Sequence, residues 1–175
     1  MFIQDFTGEY QRYFTYGTKA IAQISEEALN HVPVAGANSI AMIVRHVSGN
    51  LKSRFTEFLT SDGEKDWRNR DDEFADGSWT RADVDRAWAA GFEVVNRELG
   101  KLTDGDLTKT VTIRGVSFTV HEALCRSIAH TASHTGQIVL LAKIAAGADW
   151  QTLSIPKNGS AAYNQNPVKE KAHRR

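Results

Sequence analysis

Two histidines, His130 and His134, lie four residues apart in the segment CRSIAHTASHTGQIVLLAKIAAG, and a third, His46, lies in NSIAMIVRHVSGNLKSRFTEF. Residues at this spacing lie about 40° apart around a helix axis, so both imidazoles of the pair face the same side. A histidine from a facing helix would complete a three-nitrogen metal site with one coordination position open for chemistry. The pair lacks the glutamate of an HExxH motif, so no general base is built in beside it.

Other residues with metal-binding or nucleophilic side chains fit this cluster less well. His121 lies about 180° from His130 around the helix, so the two cannot face one metal. We expect Cys125 to be a small buried thiol rather than a ligand or nucleophile. His31 lies in a connection and is a candidate for lining one end of the fold, and His173 lies in a basic tail that we expect to be solvated.

Two amides follow the histidines at helical spacing. Asn50 comes one turn after His46, and Gln137 comes three residues after His134. Each is a candidate for a hydrogen bond to a ligand or for contact with a bound substrate, although ordinary polarity of a helix face is the simpler explanation.

Apolar residues at three- and four-residue spacing predict the long helices that would position these side chains. The predicted helices cover residues 5–29, 38–59, 80–100 and 119–147. Asn38 is the expected N-cap of the second helix, and Thr80–Asp83 and Thr119–Glu122 are capping boxes for the third and fourth. Between these two helices, alternating β-branched residues over 108–120 predict a hairpin with Arg114-Gly115 at its turn.

The polar segment 61–78 is long for a connection inside a compact domain, and we expect it to cross one end of the structure. Three aromatic residues are expected to pin it down: Trp67, Phe74 and Trp79. The charged run 65–73 within it is expected to be solvated. Its Arg68 and Arg70 are weak candidates for steering an anionic substrate towards the site.

Together these elements predict an all-α fold: a four-helix bundle with a long helix 2–helix 3 crossover and a small β-hairpin before helix 4. The length favours a single domain over residues 1–175. The polar tail, 148–175, contains Trp150 and Tyr163, and we expect it to dock on the bundle or on a partner subunit.

The composition excludes several function classes. The chain has 21 Lys plus Arg and 21 Asp plus Glu, so its formal net charge of zero argues against nucleic acid as a partner. No apolar run approaches the roughly 20 residues that span a bilayer, so we expect no membrane partner. A single cysteine excludes an internal disulfide, and no secretory signal is visible. The expected location is therefore cytoplasmic.

The segments around the three histidines also resemble a known family. NSIAMIVRHVSGNLKSRFTEF and HTASHTGQIVLLAK are similar to the DinB-like family of metal-binding four-helix bundles, which is related to bacillithiol- and mycothiol-dependent transferases. LTSDGEKDWRNRDDEF and SIPKNGSAAYN resemble one bacterial subgroup of it, and the similarity covers nearly the whole chain.

This resemblance implies a divalent metal, with zinc or nickel expected, held by His46, His130 and His134. It also implies a low-molecular-weight-thiol S-transferase in detoxification or stress response, which would take a small thiol and an electrophile and often forms homodimers. No further catalytic residue is indicated. Three alternatives stay open: a non-catalytic bundle whose metal is structural, stored or sensed; a metal-dependent hydrolase; and a metal-free binding module.

Overall fold

The computed structural model describes residues 2–167 of the chain. This part is mostly helical, with one two-stranded antiparallel sheet directly before the longest helix, which confirms the predicted helical class and hairpin. The elements have these bounds: α1 Phe2–Ile21, α2 Glu26–Asn30, α3 Ile40–Phe55, α4 Arg81–Leu99, β1 Thr110–Ile113, β2 Val116–Thr119, α5 Val120–Ala146 and α6 Ser160–Gln165. None of the helices within 2–167 combines the length and apolar content needed to cross a lipid bilayer.

The long helices α1, α3, α4 and α5 pack against one another around a shared apolar core. Helix α1 contacts α4 and α5, and α3 contacts the same two helices. The contact between α1 and α4 is close at Gly17, where an added Cβ would lie 2.2 Å from Cζ2 of Trp88. The Trp88 indole also donates a hydrogen bond to the carbonyl of Phe14 (3.1 Å). These contacts fix where the apolar stripe of each helix meets its neighbours.

The helices begin where side chains satisfy the free backbone N–H groups of the first turn. The two predicted capping boxes, at Thr80 for α4 and at Thr119 for α5, are confirmed. The N-cap of α3 is Ser39 rather than the predicted Asn38, because the Ser39 hydroxyl accepts the hydrogen bond from the backbone of Met42 (3.2 Å).

The boundaries of the first two predicted helices differ from the structure. The single helix predicted over 5–29 is two helices, because the Ser25 hydroxyl accepts a hydrogen bond from Ala28 and starts α2 as a new helix. The helix predicted to reach residue 59 ends at Phe55, since Thr56 is extended and Glu57 adopts a left-handed backbone (φ 52°). Apolar periodicity continues through both breaks, so it did not reveal them.

The hairpin and the crossover are joined at the turn. Arg114 and Gly115 both have positive φ (54° and 72°), as a two-residue turn between antiparallel strands requires. Their backbone N–H groups donate to the Asp62 carboxylate, each at 2.8 Å. The backbone N–H of Glu64 also donates to Asp62, and these bonds hold the pKa of its carboxyl well below the usual value. The start of the crossover is therefore fixed against the hairpin.

Two of the three aromatic residues expected to pin the crossover do make contacts. The Phe74 ring lies 4.8 Å from the ring of His46, and the Arg45 guanidinium lies over Trp79 at 5.2 Å. Trp67 is 60% exposed, so the expectation for this residue is wrong. Ion pairs, described below, anchor the segment near Trp67 instead.

Part of the polar tail contacts the turn that follows α1. The backbone N–H of Gln151 donates to the Gln23 side-chain oxygen (2.6 Å), and the Gln23 amide donates back to the Gln151 carbonyl (3.2 Å). Trp150 and Leu153 pack against the apolar core on either side of this pair. His173 lies outside the described residues.

Candidate metal centre

The structure brings the three predicted histidines together between two helices. His46 lies in the middle of α3, and His130 and His134 lie one turn apart on α5. The centroids of the three ring pairs are 4.5 to 5.1 Å apart. One ring nitrogen from each residue can be chosen so that all three lie within 4.8 Å of one another. The cluster has the composition and size of a site that could hold a metal ion.

His46 is oriented by a carboxylate. Its Nδ1 donates to Oε2 of Glu73 at 2.9 Å, and both residues are buried, with 5% and 8% exposed. Because Nδ1 carries the proton, the lone pair of Nε2 is free. That atom lies 3.0 Å from Nε2 of His130. Two nitrogens that share a tetrahedral metal at about 2.1 Å would lie roughly 3.4 Å apart, so a small separation of the two rings would make room for a shared ion.

Glu73 is itself held by an arginine. Nε of Arg68 donates to Oε1 of Glu73 (2.8 Å) and Nη2 donates to Oε2 (2.9 Å), so the pair is bidentate. Burial alone would raise the pKa of the Glu73 carboxyl, but the hydrogen bonds from His46 and Arg68 outweigh it and lower the pKa. Glu73 is therefore an anion that faces the buried imidazole.

Sequence reasoning missed this pair and expected the run 65–73 to be solvated, which is wrong for Arg68 and Glu73. The side chain of Arg68 is only 2% exposed. One signal in the sequence pointed to the contact: Gly49 lies three residues after His46, in the interior of α3. A Cβ at Gly49 would lie 2.1 Å from Oε1 of Glu73, so the missing side chain makes room for the carboxylate.

His134 is oriented in the same way by Gln137, whose Oε1 lies 2.8 Å from Nδ1 of the imidazole. This contact makes Gln137 the hydrogen-bond partner that the sequence suggested, and it leaves Nε2 of His134 unprotonated. Burial, partly offset by this hydrogen bond, lowers the pKa of His134. The neutral form that a metal needs is therefore favoured.

His130 differs from the other two histidines because its Nδ1 makes no hydrogen bond within residues 2–167. This nitrogen is buried. Burial, followed by the like charges of His134 and His46, lowers the pKa of His130 to about 4. An imidazole in this position is neutral at physiological pH, so it offers a lone pair and repels no cation.

A cavity of about 200 Å³ opens beside the cluster. His46 and His130 lie in its wall, together with Asn50, which the sequence had offered as a contact for substrate. Ile113 of the hairpin and Gly63 of the crossover also line it. A small molecule in this cavity would therefore lie against two of the three histidines.

The profile of the family described as "Protein of unknown function (DUF1572)" matches residues 1–159. The chain belongs to this family. It is a member of the DinB-like superfamily, in agreement with the resemblance seen around the histidines. No curated protein matches the chain.

In this member of the DUF1572 family, the other two histidines within residues 2–167 lie away from the centre. His121 packs edge-on against the ring of Phe6 (5.9 Å), as its angle on the helix predicted. His31 is exposed and lines a shallow depression with Glu26 and Ser78.

The expectation that the Cys125 thiol is buried is wrong, because it is exposed. The buried stripe of α5 passes through Leu124 and Ser127 at this level, so position 125 faces outwards. Its Sγ lies 3.7 Å from Nε2 of His121, far around the helix from the three clustered imidazoles.

Proposed function

We propose that this protein is a divalent-metal-dependent enzyme and that it transfers a low-molecular-weight thiol to an electrophile. His46, His130 and His134 would be the metal ligands. The observation that carries the proposal is the cluster of three imidazoles, two of them oriented by hydrogen bonds, beside a cavity that admits a small molecule. In this proposal the four long helices act as a four-helix bundle that carries the ligands on α3 and α5.

The residues around the cluster support neutral, directed ligands. Glu73 accepts a hydrogen bond from Nδ1 of His46, and Oε1 of Gln137 accepts one from Nδ1 of His134. Both contacts point the Nε2 lone pairs inwards, which is the usual role of partners outside the ligand shell. A divalent ion held by neutral imidazoles would supply a full positive charge that lowers the pKa of a thiol or a water molecule.

The donor count favours a catalytic site over a structural one. A structural zinc site is normally closed by a fourth protein ligand. In the part of the chain that the structure describes, the cluster of candidate ligands contains three histidines and no cysteine, aspartate or glutamate. Glu73 is hydrogen-bonded to Nδ1 of His46 and to Arg68, so in this proposal it orients the imidazole and is not a metal ligand. A position is thus left for substrate.

Metal analysis of tag-free protein is the first test. We expect about one divalent ion per chain in the wild type, a large loss in His130→Gln, and no loss in the matched control His121→Gln. Activity is then measured with bacillithiol or mycothiol and monochlorobimane as acceptor. Turnover should fall on chelation and return with zinc or nickel, whereas turnover that survives complete metal removal would refute the metal-dependent reaction.

The same protein separates the alternatives. A structural metal would make chelation lower the melting temperature steeply while no thiol binds. A hydrolase would turn over ester substrates without any thiol, with the same dependence on His130. The identity of the metal, the homodimer and the cytoplasmic location stay predictions.

A further inference from the structure

The wall of the cavity beside the histidines is rich in arginine. Five arginines line it, from α3, the crossover, the hairpin turn and α5: Arg54, Arg68, Arg70, Arg114 and Arg126. No aspartate or glutamate of the described chain lies in this wall. The formal net charge of the whole chain is zero, so the arginines are concentrated locally in this wall.

Three of these arginines are paired with carboxylates that lie behind the wall. Glu64 accepts hydrogen bonds from Arg54 (3.1 Å) and Arg114 (2.9 Å), and Glu73 holds Arg68. Even so, Nη1 of Arg68 is buried, lies 3.9 Å from Glu64, and has no hydrogen-bond acceptor within residues 2–167. A buried guanidinium N–H without an acceptor is unfavourable, so this atom is a donor that a bound anion would satisfy.

The other two arginines donate no hydrogen bond to a carboxylate within residues 2–167. Arg126 lies over the ring of Phe118 at 5.6 Å and pairs with no carboxylate of the described residues. The side chain of Arg70 is 52% exposed, and its guanidinium is 3.9 Å from Asp71, beyond hydrogen-bond distance. The two reach the cavity from different elements, α5 and the crossover. An oxyanion that contacts either guanidinium can accept planar, bidentate hydrogen bonds from it.

We infer that this cavity binds the oxyanion, a carboxylate or a phosphate, of a small molecule whose other end reaches His46 and His130. The second half of this statement rests on the proposed function, because it gives the substrate thiol an anionic group. The first half does not, since the arginines define an anion site whether or not a metal binds.

The test is calorimetric titration of the full chain after chelation, so that no anion can bind a metal. Three probes of similar size are compared: inorganic phosphate, propionate and the neutral amide propionamide. We expect saturable binding of at least one anion and none of the amide. The anion that binds more tightly identifies whether a phosphate or a carboxylate is the natural group. The titration is then repeated without chelation.

Arg70→Gln and Arg126→Gln test the site itself. Each should weaken anion binding about tenfold, the effect of losing one charge-assisted hydrogen bond. The matched control is Arg86→Gln, which removes the same charge from an exposed position on α4 where Arg86 pairs with Asp83. This control should bind as the wild type does. Melting curves check that all three variants are folded.

Unchanged anion binding in both cavity variants, or equal binding of propionamide, would overturn the inference. The two proposals fail in different ways. A protein that takes up no metal but shows arginine-dependent anion binding refutes the metal-dependent transferase and supports the anion site. A protein that binds metal through the histidines but no anion through Arg70 and Arg126 refutes only the anion site.

Discussion

Replacing Glu73 by glutamine would remove the charge that faces His46 while keeping the size of the side chain. The carboxylate now accepts a hydrogen bond from Nδ1 of His46 at 2.9 Å and two from Arg68. A charged acceptor makes such a bond worth about 1.4 kcal/mol more than a neutral one, which corresponds to roughly a tenfold change in an equilibrium constant. We therefore expect the metal affinity of Glu73→Gln to fall by about 10–100-fold.

The same substitution has a separate effect on stability. The side chains of Arg68 and Glu73 are 2% and 10% exposed, so the variant would leave a buried guanidinium without its counter-ion. Breaking such a pair costs about 3 kcal/mol of unfolding free energy. Urea unfolding of the metal-free protein would measure this loss independently of metal binding.

Metal affinity is measured by competition with a chromophoric chelator, using folded protein. Glu64→Gln is the matched control, because Glu64 also pairs with arginines but touches none of the three histidines. It should lose stability and keep its metal affinity. A change in metal affinity of about threefold is smaller than the effect expected from one charge-assisted hydrogen bond. If the metal affinity of folded Glu73→Gln is within about threefold of the wild-type value, the orienting role of Glu73 is refuted.

Three further outcomes are expected. Because burial lowers the pKa of His130 from 6.5 to about 4, the unfolded chain binds more protons than the folded chain between these pH values, and the metal-free protein should lose stability as the pH falls through this range. Urea unfolding should show a smaller loss in His130→Gln than in the control His121→Gln. Gly17→Ala should lower the unfolding free energy by about 1–3 kcal/mol, because the new Cβ would meet Trp88 at 2.2 Å; a melting temperature equal to that of the wild type would contradict this. Thr119→Ala should cost about 1 kcal/mol through loss of the α5 N-cap, and Thr119→Ser should restore most of it in the same unfolding assay.

Local signals predicted the starts of two long helices and the turn of the hairpin. Capping boxes at Thr80 and Thr119 placed the starts of α4 and α5, because the hydrogen bonds involved span only three residues. Arg114-Gly115 marked the hairpin turn, because both residues must adopt positive φ there. The break between α1 and α2 was not predicted, because the apolar stripe continues across it while Ser25 caps the start of a new helix.

The pattern of residues along the chain was enough to select His46, His130 and His134, because a helix forces residues four apart onto one face. It could not show that Glu73, 27 residues after His46, approaches Nδ1, that Arg68 is buried, or that arginines from four elements surround one cavity. Those relations join residues distant in the chain. They depend on how the crossover packs over α3, where the absence of a side chain at Gly49 leaves space for a carboxylate.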